Sequence, residues 1–456
     1  MAIRLKGLMA RQRILATAGN GAPGSAGAAR PVAVVDIGAG VIRFEVADIS
    51  GDGRIRTLES LQQPVNLGKE IFTAGHIDPA TIEECVDVLR PFRRLMTEYG
   101  VAVPEAIRIV ATSAVREAEN RQAFLDRIFI ATGLKVEVLE DSDIELLIHL
   151  ALRELLERVK ALRRGGVLAA EVGGGATRLL FLDHGYVTYS GAFRLGMLRT
   201  RETLATYRTP AVRLREVLDE HFQRIIGQMR QAVPVDQAAF HIALAGDIAP
   251  ALAAMIPGWA EARLARISTR GRSLADRIVS TPVEKLMVRY RLPSQDVERA
   301  GFTLLAHDRI ARAFGAREVL LTDLSLRRGL LLQMAQRESN FERHADQLAY
   351  SALALGRKYH FDEAHAQCVA TLAGRLFESL ADIHGLDPRH AMLLRTAAIL
   401  HDIGAFVGAG SHHKHSHYLI MNSDIFSLTR RDTALVAMIA RYHRRAVPRD
   451  SHAEYM

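Results

Sequence analysis

The sequence predicts an α/β fold of two related mixed sheets, followed by an all-helical part. A strand, a glycine turn and a second strand occur twice, about 136 residues apart, which indicates an internal duplication. After about residue 340 the strand-like patterns stop, and helical periodicity with dense histidine fills the remainder. The length of 456 residues also favours about three domains.

The composition excludes several classes of protein. Lysine and arginine number 59 against 51 aspartate and glutamate residues, a formal net charge of +8, and 49% of residues are hydrophobic. These values are typical of a globular protein. The basic excess alone favours a soluble protein with a basic surface over a protein that binds an anionic partner. Only Cys85 and Cys368 are present, which favours a reducing compartment, the cytoplasm. No apolar run reaches about 18 residues, so no membrane helix is expected.

Residues 1–30 are predicted to form a disordered basic tail. The segment has no acidic residue, and Ala18–Ala29 is rich in glycine and alanine. This composition cannot build a core. It lacks the serine content of a transit peptide and the apolar stretch of a secretion signal.

Residues 31–148 are predicted to form the first α/β domain. Three strands are predicted first: an apolar run closed by glycines, a run that alternates at period two, and a return strand after Gly51-Asp52-Gly53. Helices then alternate with two further strands. The predicted strands are Val32–Ile37, Val41–Ile49, one starting at Ile55, Ala106–Thr112 and Lys135–Leu139. The resulting βββαβαβα order implies a mixed sheet covered by helices.

Residues 149–338 repeat this texture and are predicted to form the second domain. A second apolar strand ends in Gly173-Gly174-Gly175, and four further strands are expected downstream. Those four are Leu179–Leu182, Tyr186–Ser190, His241–Ala245 and Glu318–Thr322. The helical domain is predicted to cover 339–456.

The glycine turns indicate anion binding. A glycine-rich turn directly after a buried strand exposes backbone N–H groups that can hold phosphate oxygens. A carboxylate at the strand end, such as Asp36, can hold a divalent cation. Two such loops facing each other could hold a chain of phosphates from both sides. The alternative is two tight hairpins without a ligand.

Five segments together resemble the exopolyphosphatase and guanosine-pentaphosphate phosphohydrolase (Ppx/GppA) family. They are Asp36-Ile37-Gly38, Val110–Ala118, Glu171–Gly175, Leu195-Gly196-Met197 and Arg327–Leu330. The resemblance implies two actin-like (ribonuclease H-like, ASKHA) domains followed by an all-α HD-like domain. It also implies a ligand between the first two domains, inorganic polyphosphate or a guanosine polyphosphate, with help from Mg²⁺. The phosphate-binding residues it implies are Asp36, Gly38, Gly40, Arg43, Thr112, Arg116, Gly173, Gly174, Gly175 and Thr177.

The sequence departs from the family at the general base. A family glutamate activates the attacking water, and such a base must lie within hydrogen-bond reach of it. An ungapped alignment of residues 138–148 places Ile144 at this position, and isoleucine cannot accept a proton. Asp143 and Glu145 flank it, but neighbouring helix residues point about 100° apart. These two carboxylates and Glu171 are the candidate catalytic residues.

The phosphate loops depart as well. Ala39, Gly40 and Val41 replace hydroxyl and amide side chains of the first loop. In the second loop Glu171 replaces an aspartate, Ala176 a serine and Arg178 a glutamate, which weakens the expected Mg²⁺ site. Three functions remain open: a hydrolase releasing terminal phosphate, a weak or inactive binding protein with a regulatory role, and a metal-dependent phosphohydrolase that uses the tail domain.

The tail domain contains candidate metal ligands. His365 followed by His401-Asp402 has the order of a metal-dependent phosphohydrolase domain, with Asp424 or Asp432 as a further ligand. A structural domain with a hydrogen-bonded histidine core is the favoured alternative. The basic run of Arg441, Arg444, Arg445 and Arg449 suits a polyanion or a solvated helix end equally. No motif indicates a nucleic-acid partner, and the sequence leaves a homodimer open.

Overall fold

A computed structural model describes most of the chain. The described residues are 29–101, 103–159, 162, 165–206, 214–233, 240–256, 259, 264–269, 274–335, 340–444 and 447–449. The predicted basic tail lies outside them except for its last two residues, and the second of these, Arg30, begins the first strand.

The first sheet has five strands in the order β3-β2-β1-β4-β5. They are β1 (Arg30–Ile37), β2 (Val41–Ile49), β3 (Ile55–Pro64), β4 (Ile107–Ala111) and β5 (Glu137–Val138). β1, β2 and β3 pair antiparallel, whereas β1 pairs with β4, and β4 with β5, in parallel. β1 is buried along nearly its whole length because it is the central strand of a sheet covered by helices.

Five helices accompany this sheet. They are α1 (Leu67–Ala74), α2 (Pro79–Glu98), α3 (Ser113–Glu117), α4 (Arg121–Thr132) and α5 (Asp141–Arg158). α2 begins with a proline at its first position, where no N–H is needed. The sequence did not indicate α1, since eight residues are too few to show a helical period.

The second sheet has six strands in the order β10-β11-β9-β6-β7-β8. They are β6 (Val167–Val172), β7 (Thr177–Asp183), β8 (Tyr186–Phe193), β9 (Phe240–Leu244), β10 (Leu264–Ser268) and β11 (Glu318–Thr322). Its helices are α6 (Met197–Thr206), α7 (Leu214–Ala232), α8 (Ala249–Met255), α9 (Leu274–Val279), α10 (Val283–Tyr290), α11 (Ser294–Ala313) and α12 (Leu326–Ala335). The hairpins β1-β2 and β6-β7 occupy equivalent central places in the two sheets, as expected for a duplication.

α12 returns to the first half of the molecule and packs on α5. Leu330 and Leu331 belong to the same hydrophobic core as Leu147 and the strands of the first sheet. The two helix backbones touch, since a Cβ on Gly329 would lie 2.2 Å from the carbonyl oxygen of Leu147. This contact fixes α5, the helix that carries Ile144.

The described residues after Thr322 form helices and turns without a strand. The helices are α13 (Asn340–Lys358), α14 (Glu363–Ser379), α15 (Ala381–His384), α16 (Pro388–Leu400), α17 (His412–Met421) and α18 (Arg430–Arg441). This domain joins the second sheet at its edge, where the Gln347 side chain exchanges two 3.0 Å hydrogen bonds with the backbone of Val187 in β8. The predicted order of two mixed sheets and a helical part is therefore confirmed. No helix of the described residues is both long and apolar enough to cross a membrane.

Candidate functional site

A cleft of about 270 Å³ lies between the two halves, with both glycine loops on its walls. Eight of the ten predicted phosphate-binding residues line it: Asp36, Gly38, Gly40, Arg43, Thr112, Gly173, Gly174 and Gly175. The two loops therefore meet at one site, as the duplication predicts.

The first loop turns between β1 and β2. The Gly38 N–H donates to the carbonyl of Val41 at 3.0 Å, which closes the turn. Asp36 and Arg43 lie directly opposite each other in the hairpin. A Cβ on Gly38 would come within 3.0 Å of an Arg43 guanidinium nitrogen, so this glycine leaves room for the arginine.

The second loop is held by the start of α6. The N–H groups of Met197 and Arg199 donate to the carbonyls of Gly173 and Gly174 at 3.2 and 3.1 Å. A Cβ on Gly196 would lie 2.5 Å from the Gly174 carbonyl oxygen, so only glycine permits this approach. The helix start thereby fixes the shape of the loop.

Each loop carboxylate is paired with an arginine of the same hairpin. Asp36 accepts a hydrogen bond from Arg43 at 2.9 Å, and Glu171 accepts one from Arg178 at 3.3 Å. Burial raises the pKa of Glu171, and the neighbouring Arg178 guanidinium only partly offsets this effect.

Arg116 and Thr177 are the two predicted phosphate-binding residues that do not line the cleft. The Arg116 guanidinium binds the Leu139 carbonyl at 2.7 Å and the Asp141 carboxylate at 2.8 Å. The buried Thr177 hydroxyl donates to the carbonyl of Leu195. In this structure both side chains brace the backbone beside the cleft instead of reaching into it.

The three candidate catalytic carboxylates occupy different places. Asp143 lies in the first turn of α5, where its carboxylate accepts the backbone N–H of Glu140 at 3.0 Å. Glu145 is buried away from the cleft wall, and burial raises its pKa to about 7. Ile144, which lies between them in the sequence, is fully buried in the cleft wall, and of the three carboxylates only Glu171 lines the cleft.

Four further basic side chains line the cleft that sequence reasoning did not assign to the ligand. They are Lys69 in α1, Arg201 in α6, Arg299 in α11 and Arg327 in α12. With Arg43 and Arg178 they give six basic residues against three acidic ones among the described lining residues. Arg327 belonged to a recognised motif, whereas the other three lie on separate helices that only the fold brings together.

The cleft does not fit a resident Mg²⁺ ion. A hard cation needs carboxylate oxygens that can turn towards it. Asp36 and Glu171 each hold a guanidinium instead, and the third lining carboxylate, Glu298, is exposed on α11. The two loops therefore offer the guanidinium groups of Arg43 and Arg178 to a bound anion, and they offer no free carboxylates to a metal ion.

A second group of functional side chains surrounds Asp402 in the helical domain. The Nε2 atoms of His401 and His412 both lie 3.1 Å from its carboxylate oxygens, and those of His443 and His365 lie at 3.6 and 3.7 Å. The predicted ligands His365, His401 and Asp402 thus come together, and His412 and His443 join them from α17 and from the end of α18.

Backbone carbonyls orient three of these imidazoles. The Nδ1 atoms of His401, His412 and His443 each lie 2.6 to 3.1 Å from the carbonyl oxygen three residues earlier. In the neutral ring Nδ1 then carries the proton, so Nε2 presents a lone pair to Asp402. The imidazole lone pairs and the carboxylate oxygens of Asp402 are all hydrogen-bond acceptors, so a cation bound between them would stabilise the group.

Neither aspartate considered as a further ligand belongs to this group. Asp432 caps α18 and forms a salt bridge with Arg389 at 2.6 Å. Asp424 lies close enough to Glu145 of α5 to raise the pKa of that carboxyl group.

Comparison with known proteins gives matches to two family models. Residues 46–338 match the model of the Ppx/GppA phosphatase family, and residues 349–456 match the model of Ppx/GppA phosphatase, domain III. A guanosine-5'-triphosphate,3'-diphosphate pyrophosphatase of Vibrio vulnificus is 25% identical over 409 residues, which is 86% of this chain and 76% of that protein. The protein of that name from Photobacterium profundum is 21% identical, with 90% and 80% covered.

Two solved structures share the fold. The Ppx/GppA family member of Aquifex aeolicus has a TM-score of 0.54 at 22% identity, covering 68% of this chain and 99% of that one. An exopolyphosphatase from Cytophaga hutchinsonii has a TM-score of 0.56 at 19% identity, covering 67% and 98%. This similarity confirms the predicted actin-like architecture. Because one family model covers well over half of the sequence, the chain belongs to the Ppx/GppA phosphatase family.

Proposed function

We propose that the cleft binds a linear chain of phosphoanhydrides, inorganic polyphosphate or a guanosine polyphosphate, and that the protein slowly releases its terminal phosphate. The observation that carries this proposal is the meeting of two glycine loops and six basic side chains on one cleft. Backbone N–H groups and guanidinium groups are the donors that phosphate oxygens prefer. The names of relatives and of a structural neighbour support the ligand class.

Slow turnover follows from the cleft wall. By the family resemblance Ile144 replaces the general base, and this residue lines the cleft. Losing a well-placed base costs about 10² to 10⁴ in rate. Positioning and electrostatic stabilisation remain, since Arg43 and Arg178 can neutralise the charge that develops on the phosphoryl oxygens. Glu171 is the lining carboxylate that we assign to accept the proton of the attacking water, because burial raises its pKa and so makes it a stronger base.

The test is phosphate release from long-chain polyphosphate and from guanosine pentaphosphate, with and without Mg²⁺. We expect Ile144→Glu to raise kcat at least tenfold over the native chain, because it supplies a carboxylate at the cleft wall. Ile144→Gln is the matched control, since it adds a side chain of the same length that cannot act as a base. A native rate equal to that of Ile144→Glu would show that the base is elsewhere.

A binding protein without turnover is the second candidate, and Ile144 also favours it. In that case the native chain binds polyphosphate, releases no phosphate and gains none from Ile144→Glu. The proposed slow hydrolysis would then be wrong, whereas the binding cleft would stand.

We also place the protein in the cytoplasm, which its two free thiols, Cys85 and Cys368, support.

We further propose that the group around Asp402 holds a transition metal. A metal-dependent phosphohydrolase in the tail domain, the third function left open by the sequence, would require such an ion. Imidazole nitrogens with one carboxylate are ligands typical of Zn²⁺, Mn²⁺ or Fe²⁺. After incubation of the full chain with each metal and gel filtration, we expect about one bound ion per chain. His401→Ala removes it, and His390→Ala, an exposed histidine of α16 outside the group, retains it. A native chain without bound metal would contradict this assignment.

A further inference from the structure

Arg178 is enclosed between the two halves of the molecule. It lies opposite Glu171 in the β6-β7 hairpin, and its side chain is only 6% exposed. One terminal nitrogen lies 3.3 Å from Glu171, and the other reaches Asp141 at the start of α5 at 3.1 Å. A single guanidinium therefore joins carboxylates of both halves at the cleft.

The third nitrogen of this guanidinium, Nε, is unsatisfied. Arg178 Nε is buried and has no hydrogen-bond partner among the described residues. A buried donor without a partner costs about 1–3 kcal/mol, so an acceptor brought by a ligand would be favourable. Arginine keeps its charge at any physiological pH, which makes this a permanent cation.

Arg178 occupies a carboxylate that a divalent metal at the second loop would need. Such a metal would be held by the oxygens of Glu171, and Arg178 already binds one of them. A second cation beside it would be repelled by the fixed charge. Arg43 blocks the first loop in the same way by holding Asp36.

We infer that the Arg178 guanidinium takes the place of the divalent cation, so that the cleft binds its phosphate chain without Mg²⁺. The inference rests on the proposed function for the identity of the ligand. Guanidinium groups bind phosphate oxygens directly, whereas Mg²⁺ in solution competes for the same oxygens. Binding should therefore be at least as strong in EDTA as in Mg²⁺.

The experiment measures the Kd of linear polyphosphate by calorimetry on the full chain, in EDTA and in millimolar Mg²⁺. For the native chain we expect binding in EDTA and an equal or weaker affinity in Mg²⁺. Arg178→Met, which keeps the apolar stem, should weaken binding in EDTA about tenfold, as expected for one charged hydrogen bond. Arg178→Glu should abolish binding in EDTA and recover it in Mg²⁺.

Arg201→Glu is the control for charge reversal alone. Arg201 lines the cleft but pairs with its neighbour Glu202, not with a loop carboxylate. It should weaken binding in both buffers without creating a need for Mg²⁺. Native binding that requires Mg²⁺ would overturn the inference and leave the proposed function intact, whereas no binding in either buffer would overturn the proposed function itself. Circular dichroism of each variant identifies any that fails to fold.

Discussion

At the scale of single residues, His149 and His241 show how this histidine-rich chain uses imidazoles away from the Asp402 group. Both are buried, and burial lowers the pKa of each to about 3. Arg153 and His344 add to the shift at His149. These rings are neutral in the folded protein, and they belong to the core, not to a metal site.

This burial makes stability depend on pH. An unfolded histidine binds a proton below its ordinary pKa of about 6.5, whereas folded His149 does not until about pH 3. Its contribution is therefore complete above pH 6.5 and is lost as the pH falls towards 3, by about 1.4 kcal/mol per pH unit. Glu145, with a pKa raised to about 7, acts in the opposite direction between about pH 7 and 4.5.

We predict that His149→Leu will flatten the acid side of the stability curve by about 1.4 kcal/mol per pH unit between pH 6 and 4. Urea unfolding of the native chain and the variant at several pH values measures this difference, and the Glu145 effect cancels in it. The exposed His390→Leu should leave the slope unchanged. Parallel curves for native chain and His149→Leu would mean that His149 is protonated in the folded state.

The sequence was informative about single residues only where a motif names them. An ungapped alignment predicts that Ile144 replaces a family base, and the structure places this residue on the cleft wall. The ion pair between Arg116 and Asp141 could not be predicted, because the two residues are far apart in the sequence and each has several possible partners. Which partner an arginine takes depends on backbone distances that only the tertiary fold sets.

At the scale of elements, the close crossing of α5 and α12 decides where the cleft wall lies. Gly329 permits this crossing, and any larger residue meets the backbone of Leu147. We predict that Gly329→Ala will lower the free energy of unfolding by about 1–3 kcal/mol, because neither backbone can move without repacking the core. Urea unfolding measures the change.

The matched control is Gly227→Ala in α7, where an added Cβ meets nothing within 4 Å. Removing a glycine from an open helix position should raise stability by about 0.5–1 kcal/mol. If Gly329→Ala behaved like Gly227→Ala, the two helices would have to adjust freely, and α12 would not fix the position of Ile144.

Elements with a clear apolar pattern could be predicted, whatever their length, and elements without one could not. The hairpins on either side of the glycine loops were recognised because apolar runs end at glycines in both copies. α1 was not recognised because eight residues are too few to show a helical period, and β10 was not because the exposed Arg266 at its centre interrupts the apolar pattern. Their places in the fold are set by tertiary packing.

At the scale of the whole molecule, Arg199 joins the two halves beside the second phosphate loop. Its guanidinium binds both carboxylate oxygens of Glu117 in α3 at 2.6 and 2.7 Å and donates to the carbonyl of Gly175 at 2.7 Å. It also lies 4.1 Å over the ring of Phe72 in α1. One side chain from the second half thus contacts two helices of the first and the second phosphate loop.

We predict that a bound polyphosphate leaves when the two halves separate, and that Arg199→Ala, which removes a contact opposing separation, raises its dissociation rate about tenfold. Stopped-flow displacement of a fluorescently labelled polyphosphate measures the rate. Arg127→Ala is the matched control, since Arg127 forms an equally close pair with Glu83 inside one half and should leave the rate unchanged. An unchanged rate in Arg199→Ala together with a lowered Tm would show that this contact stabilises the fold without controlling the cleft. A faster rate at unchanged Tm would make the opening of the two halves the step that limits release.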